Sequence, residues 1–212
     1  MTDGKSVEER RNVLEQIAQE IRACKACALH SARTRVVPGA GRPDADIMFI
    51  GEAPGYHEDQ QGLPFVGASG KYLGELLAMI GLTRNDVFIA NVVKCRPPDN
   101  RDPLPEELAS CRDYLENQIA AINPKLIITL GRFSLAVFFP MARIGAVHGQ
   151  IKKVNNRLVV PMYHPAAALH QPALKSTVER DFAHLSDTIK QNIAARPAQP
   201  HKPAEPEDPA ES

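Results

Sequence analysis

The chain contains 212 residues, of which 25 are basic and 25 are acidic, so its formal net charge is zero. This length fits a single domain with a substantial hydrophobic core, and the neutral balance by itself does not indicate a nucleic-acid-binding protein unless basic residues gather on one face. The polar N-terminus lacks a signal-peptide core, and no window approaches the roughly 20 apolar residues that cross a bilayer. We therefore expect a cytoplasmic protein with no membrane partner.

The first half of the chain predicts two helices and two strands. Apolar residues at near-helical spacing predict an N-terminal helix over residues 6–23, and the short apolar run Ile47–Ile50 predicts a buried strand. Apolar positions then recur every three or four residues between 72 and 80, and Gly81 ends this helix. Residues Val87–Val93 predict the second strand.

The second half continues the same alternation. A Pro-rich loop, residues 97–105, leads into a helix that begins at Pro105, because proline is tolerated in the first turn and the acids that follow favour the helix dipole. Leu126–Leu130 and Leu158–Tyr163 predict two further strands, and residues 176–194 predict a C-terminal helix.

Strands and helices that alternate in this way predict an α/β fold. We expect a single domain, residues 1–195, with a central four-stranded parallel twisted sheet flanked by helices on both faces. Such folds bind ligands beyond the carboxyl ends of their strands. Residues 196–212 differ, because prolines recur at every third position from 197 to 209 among polar residues. This composition favours a disordered, extended tail, with docking to a partner as the alternative.

Four cysteines form a close pair, Cys24 and Cys27, and a distant pair, Cys95 and Cys111. In a reducing cytosol such a set more often binds metal than forms disulfides. A structural zinc ion and an iron–sulfur cluster both suit four thiolates, and the spacing matches neither a zinc ribbon nor a bacterial ferredoxin. The spacing therefore leaves both open, together with the alternative that only the close pair binds metal.

Glycine-rich loops follow the first predicted strand. Two glycines in Gly51–Gly55 permit positive φ and close approach of the backbone to a ligand. Phe65 is either a core residue or a stacking platform, and the surrounding glycines favour the platform. The turn Gly67–Lys71 opens a helix whose N–H groups could hold a phosphate. It is not a P-loop, because Phe65 stands at the first glycine position and Tyr72 replaces the magnesium-binding Ser or Thr.

Two further polar residues lie near the ends of predicted strands. Asn91 is in an apolar setting, where its amide either pins a loop or reads the edge of a base. His164 stands beside a proline at the end of the fourth strand, which makes it a better site candidate than an ordinary histidine.

Taken together, these segments resemble the family 4 uracil-DNA glycosylases. The matching residues are Gly51–Gly55, Glu58–Gly70, Asn91–Pro98, Cys111 and His164–Ala166, and the resemblance runs from about residue 10 to 190. It implies a monofunctional enzyme of base excision repair that flips uracil out of DNA, hydrolyses its bond to the sugar and leaves an abasic site. It also implies a structural [4Fe–4S] cluster rather than zinc, with Cys24, Cys27, Cys95 and Cys111 as ligands.

The resemblance further implies roles for individual residues. Phe65 is expected to stack on uracil, Asn91 to pair with its O4 and N3–H, and His164 to donate to O2 as negative charge develops. Glu52 is our choice for stabilising the sugar cation and orienting water, since Ala53 stands where related families have Asp. Glu58 is the alternative for this role, or it shapes the pocket against the thymine methyl group. Gly51, Ala53 and Glu58 complete the expected base pocket. Expected phosphate contacts are Gly67, Ser69, Gly70, Lys71 and Ala166, and Leu169 is a candidate wedge.

The expected partner is DNA that contains uracil, single- or double-stranded, and the chain is expected to be a monomer. One rival is the related family X, which becomes covalently attached to DNA through a histidine in an inserted basic loop. Residues 96–104 contain no histidine, which disfavours this rival. The other rivals are a non-catalytic cluster-bearing module that binds nucleic acid or a polymerase, and a zinc-stabilised protein with an unknown ligand.

Overall fold

The computed structural model describes residues 4–193, and it contains one mixed sheet of six strands in the order β1-β3-β2-β4-β6-β5. The predicted domain end at 195 and the predicted Pro-rich tail lie outside the described residues. The strands are β1 Ala40–Gly41, β2 Ile47–Gly51, β3 Phe88–Asn91, β4 Leu126–Leu130, β5 Lys152–Val154 and β6 Arg157–Met162.

Helices cover both faces of this sheet. They are α1 Val7–Ala23, α2 Tyr56–Gln61, α3 Ala68–Met79, α4 Pro105–Ile122, α5 Arg132–Phe138, α6 Ile144–Val147, α7 Pro165–His170 and α8 Lys175–Asn192. No helix within residues 4–193 combines the length and apolar character that crossing a bilayer requires.

The four predicted strands are confirmed as the parallel centre of the sheet, β3-β2-β4-β6. The sequence did not predict the two antiparallel edge strands. Strand β1 has only two residues, and β5 forms a short hairpin with β6 around Asn155, which adopts a left-handed φ of 54°. Both are too short to show a hydrophobic period, and short edge strands of this kind protect a sheet from pairing with other chains.

The central strands are buried on both faces, which explains their continuous apolar runs. Successive side chains point to opposite faces. Phe49 packs on the side of α3 and α8, where its ring stacks on Phe182 with centroids 6.3 Å apart. Met48 and Ile50 pack on the other side against Leu115 of α4.

Helix α1 is positioned by contacts at its start and along α4. Ser6 and Glu9 form a reciprocal capping box at its N-terminus. The Arg10 guanidinium donates to the carbonyls of Ala121 and Ile122 at the end of α4, at 2.7 Å each. This docking brings Cys24, which caps the C-terminus of α1, to the same side of the molecule as α4.

Candidate active site

A polar cavity with a volume of about 340 Å³ lies beyond the carboxyl ends of the parallel strands. This is the position in which open α/β sheets bind their ligands. Loops that follow β2, β3 and β6 contribute most of its walls. The lining residues are Glu52, Ala53, Pro54, Gly55, Glu58, Phe65, Ser69, Asn91, Pro97, Asn100, Arg101, His164, Ala166 and His170.

Asn91 ends β3 and lines this cavity while only 2% of its surface is exposed. No group within residues 4–193 forms a hydrogen bond with its side-chain amide. Buried amides ordinarily have partners, so a ligand that supplies a donor and an acceptor would complete this one. The neighbouring Gly51 leaves room for the amide, since a Cβ there would lie 2.4 Å from Asn91 Oδ1 and 2.7 Å from Phe65 Cζ.

Phe65 is both a core residue and a wall of the cavity, with 6% exposure. Its backbone has a left-handed φ of 54°, which is costly for a residue other than glycine. Two contacts hold this conformation. The Arg84 guanidinium donates to the carbonyls of Phe65, at 2.8 Å, and Pro64. Gly70 packs so closely that a Cβ there would lie 1.8 Å from the Phe65 carbonyl oxygen.

His164 follows β6, and its ring stacks on Phe65 with centroids 5.5 Å apart and planes 27° apart. Its Nδ1 accepts a hydrogen bond from the Ala166 N–H at 3.2 Å and caps α7. In the neutral ring the proton therefore resides on Nε2. Burial lowers the pKa of His164 to about 4 against an opposing effect of the Glu58 carboxylate, so the ring is a neutral donor near pH 7.

The two acidic residues of the cavity differ in their surroundings. Glu58 is 9% exposed, and its Oε1 accepts hydrogen bonds from the Val66 N–H at 2.8 Å and the Gly67 N–H at 2.9 Å. Burial raises the pKa of Glu52, the nearby Asp102 carboxylate raises it further, and the Arg132 guanidinium opposes both. Glu58 thus shapes the loop that carries Phe65, whereas the carboxylate of Glu52 is not committed in this way.

The five predicted phosphate contacts do not form one surface. Ser69 and Ala166 line the cavity, whereas Lys71 is exposed outside the lining. The N–H of Gly67 already donates to Glu58 and that of Ala166 to His164. Gly70 is buried against the Phe65 backbone. Direct phosphate binding by the amides of Gly67 and Ala166 therefore competes with acceptors inside the protein.

The sequence did not predict the contribution of the loop after β3, which supplies Pro97, Asn100 and Arg101 to the cavity. Asn100 has a left-handed φ of 54°, and Arg101 donates to both carboxylate oxygens of Glu107, at 2.9 and 2.6 Å. The Glu107 side chain is only 1% exposed, so this pair anchors the loop to the start of α4. A dense run of Pro, Asp, Asn and Arg after a strand end was the available signal.

A second, smaller cavity is lined by all four cysteines, none of which is in a disulfide. Cys95 and Cys111 are buried, and Cys24 and Cys27 are partly exposed. The Arg33 guanidinium donates to Cys95 Sγ at 3.2 Å. Burial raises the pKa of the Cys111 thiol to about 11, so thiolates here require cationic partners.

The four sulfurs face one cavity without meeting at one point. Within residues 4–193, no three His, Cys, Asp or Glu side chains converge closely enough to bind a single metal ion. Zinc would need its sulfur ligands at about 2.3 Å from one centre. A cluster of several irons binds each thiolate to a different iron, so its ligands stand farther apart. Four thiols that line one cavity are a donor set that either a zinc ion or an iron–sulfur cluster uses.

Lys94 lies between this cysteine cavity and Asn91, which lines the polar cavity. It is 1% exposed, and its Nζ donates to the Asn91 carbonyl at 2.7 Å and to Gln118 Oε1 at 2.6 Å. Burial lowers the pKa of Lys94 to about 7, and Cys111 opposes this effect. The same side chain thus touches the cysteine cavity and supports the backbone of Asn91.

Comparison with known proteins identifies the family. Residues 38–186 match the model of the uracil DNA glycosylase superfamily. The chain therefore belongs to this superfamily, which confirms the predicted class and its α/β fold.

Individual relatives narrow the assignment. The type-4 uracil-DNA glycosylase of Archaeoglobus fulgidus is 47% identical over 82% of this chain and 92% of its own length. That of Thermotoga maritima is 41% identical over 86% of this chain and 97% of its own length. A DNA polymerase of Bacillus phage SP01 is 31% identical over 72% of this chain but only 17% of its own length. Within the superfamily, the chain is a member of the type-4 family.

Proposed function

We propose that this chain is a uracil-DNA glycosylase of DNA repair, which hydrolyses the bond between uracil and deoxyribose and leaves an abasic site. The observation that carries this proposal is the Asn91 amide, which has no hydrogen-bond partner among residues 4–193 and lines a cavity that also contains a neutral His164 donor. Membership of the type-4 family supports the same activity.

Base selection follows from the chemistry of the Asn91 amide. Its NH₂ group donates to uracil O4 and its carbonyl accepts from N3–H, while Phe65 stacks on the face of the extruded ring. Cytosine presents the opposite donor and acceptor pattern on this edge. Because Asn91 is only 2% exposed, its amide cannot form hydrogen bonds with water in place of those lost to a mismatched base. Such a base therefore leaves buried polar groups unpaired.

Departure of uracil is assisted by His164. The leaving ring develops negative charge that includes O2, and the neutral imidazole donates its Nε2–H to that atom. A donor positioned in advance of the reaction is worth roughly 3 kcal/mol in the transition state. The Ala166 N–H donates a hydrogen bond to His164 Nδ1, which favours the tautomer with its proton on Nε2 before uracil binds.

Glu52 stabilises the cationic sugar and orients the attacking water. It lines the cavity from the loop after β2, and its carboxylate is not committed to backbone N–H groups as that of Glu58 is. Glu58 shapes the pocket by holding the residues after Phe65. Ala53 offers no carboxylate, so the water must be activated differently from families with Asp at this position.

The cysteines are assigned to a structural [4Fe–4S] cluster with Cys24, Cys27, Cys95 and Cys111 as ligands. Support comes from the resemblance and from the four thiols that line one cavity. When bound, the cluster supplies iron–thiolate bonds that cross-link α1, the loop after β3 and α4. Its role beside Asn91 is to fix the loop that carries Cys95, and base hydrolysis itself transfers no electron.

The activity is tested with an end-labelled oligonucleotide that contains one uracil, offered as a single strand and as a duplex. Cleavage at uracil that depends on alkali, without a shifted band, is the expected result. A shifted band that resists denaturant would indicate covalent capture instead. Absence of both signals would leave a DNA-binding module, the role that the polymerase match keeps open.

A further inference from the structure

Tyr56 is an exposed aromatic residue at the rim of the base cavity. It begins α2, directly after the lining residue Gly55, and 54% of its surface is exposed. Phe65 inside the cavity is 6% exposed. The Tyr56 ring therefore follows directly on the cavity lining and is not part of the hydrophobic core.

The ring is held on two sides. The Arg96 guanidinium carbon lies 5.3 Å from the Tyr56 ring centroid, and the His57 ring meets it edge-on at 5.5 Å and 80°. Cation–π and edge-to-face contacts of this kind restrict an exposed aromatic side chain. A ring that is already ordered loses little conformational entropy when a partner stacks on it.

Arg96 connects the ring to cavity-lining residues of the loop after β3. Its Nε donates to Asn100 Oδ1 at 2.8 Å, and both Asn100 and the adjacent Pro97 line the cavity. Tyr56 and Arg96 thus join the loop after β2 to the loop after β3 across the rim. A planar aromatic ring beside a fixed cation matches the two parts of a nucleotide, its base and its phosphate.

We propose that Tyr56 and Arg96 form a second nucleotide subsite, which stacks the base adjacent to the extruded uracil and binds its phosphate. The inference rests on the proposed glycosylase function, since it takes uracil in the main cavity as the reference point. Neither residue is required for the chemistry proposed for Glu52, Asn91 and His164. The subsite favours single-stranded DNA, where the adjacent base is free to leave its own stack.

The test uses a single strand that carries 2-aminopurine immediately 5′ or 3′ of a 2′-fluorinated deoxyuridine, a modification that slows cleavage. Stacking on the tyrosine ring is expected to quench 2-aminopurine fluorescence at one of the two positions in wild-type protein. Tyr56→Ala should abolish this quenching and weaken binding roughly tenfold, within the range for one aromatic–base stack. Tyr56→Phe keeps the aromatic ring and should retain the quenching. Met141→Ala is the matched surface control and should also retain it, because Met141 is 94% exposed and lies outside the cavity lining.

Arg96 is tested by the salt dependence of binding. Arg96→Gln removes one phosphate contact and should reduce the slope of log affinity against log salt by roughly one. Quenching at neither position in the wild type, or quenching and affinity unchanged in Tyr56→Ala, would overturn the subsite. If the subsite fails in this way while the wild-type protein excises uracil normally, the glycosylase proposal is unaffected. If the wild-type protein does not excise uracil, the glycosylase proposal is refuted, and the fluorescence experiment still tests whether Tyr56 stacks on a base.

Discussion

The Asn91 side chain offers one donor and one acceptor at a position that water scarcely reaches. Its backbone is held as well, because the Lys94 ammonium donates to the Asn91 carbonyl at 2.7 Å. Gly51 supplies the space beside the amide, and Phe65 closes the cavity next to it. In the proposed function, selectivity for uracil depends on the direction of these two hydrogen bonds.

Replacing Asn91 by Ala should therefore impair excision far more than DNA binding. Loss of two buried hydrogen bonds of about 1.5 kcal/mol each corresponds to roughly a 100-fold fall in kcat/KM. Single-turnover excision and fluorescence anisotropy with the same oligonucleotide measure the two effects separately. An equal loss of both would mean that Asn91 maintains the scaffold.

The pH dependence of excision separates the roles of Glu52 and His164. Since the pKa of His164 is lowered to about 4, the ring stays neutral above roughly pH 5 and protonates only below that. Since the pKa of Glu52 is raised, its carboxylate form is lost first as the pH falls. The acid limb of the rate profile should thus disappear in Glu52→Gln and persist in His164→Gln. An acid limb near the ordinary histidine pKa of about 6.5 that vanishes in His164→Gln would contradict this assignment.

At the scale of elements, the loop between α2 and α3 is held in place by hydrogen bonds from one guanidinium group and to one carboxylate. Arg84, from the turn before β3, binds the carbonyls of Pro64 and Phe65, and Glu58 of α2 binds the amides that follow. The left-handed Phe65 persists because both sides of its backbone are bonded. Helix α3 contributes Gly70, over which the Phe65 carbonyl lies.

Two glycines of α3 provide a matched comparison. Gly70→Ala would put a methyl group 1.8 Å from the Phe65 carbonyl oxygen, so the loop must move and the protein should lose stability and excision together. Gly74→Ala, one turn farther along, meets nothing within 4 Å and should gain roughly 0.5–1 kcal/mol from helix propensity. Urea unfolding of both variants measures the difference. Similar stability changes in the two would show that the close packing under Phe65 has no energetic role.

At the scale of the whole molecule, three distant parts of the chain meet at the cysteine cavity. Cys24 and Cys27 follow α1, Cys95 follows β3 and Cys111 lies in α4. The capping box and the Arg10 contacts already hold α1 on α4. A cluster bound by all four sulfurs would connect the N-terminal helix to the loop that follows Asn91 and carries Asn100 and Arg101.

Purified protein should accordingly contain about four iron atoms and four acid-labile sulfides per chain, as in other Cys₄-bound [4Fe–4S] proteins. Cys111→Ser should lower both contents and the thermal midpoint, because one connection between α4 and the loop is lost. Elemental analysis, sulfide assay and calorimetry give readouts that do not depend on excision. Zinc in place of iron, with no sulfide, would refute the cluster.

Much of the sheet was predictable because its central strands are buried on both faces and therefore carry short uninterrupted apolar runs. In a chain where such runs alternate with helical patterns, they indicate the strands of a parallel sheet. The base cavity was predictable in outline, since Gly51, Asn91 and His164 each stand at the end of a strand. Arg84 was not predictable, because its partners are backbone carbonyls about 20 positions away that carry no sequence signal. The same holds for the Arg101–Glu107 pair and for the edge strands β1 and β5.

The sequence by itself determined the order of strands and helices and the family to which the chain belongs. These depend on local periodicity and on motifs whose residues are adjacent in the chain. Only the tertiary structure decided that the Gly67 and Ala166 amides donate to Glu58 and His164, and that the proton of the neutral His164 ring is on Nε2. It also decided that Lys94 lines the cysteine cavity and binds the Asn91 carbonyl. The physical reason is that hydrogen-bond partners and the loss of solvent depend on which distant segments pack together.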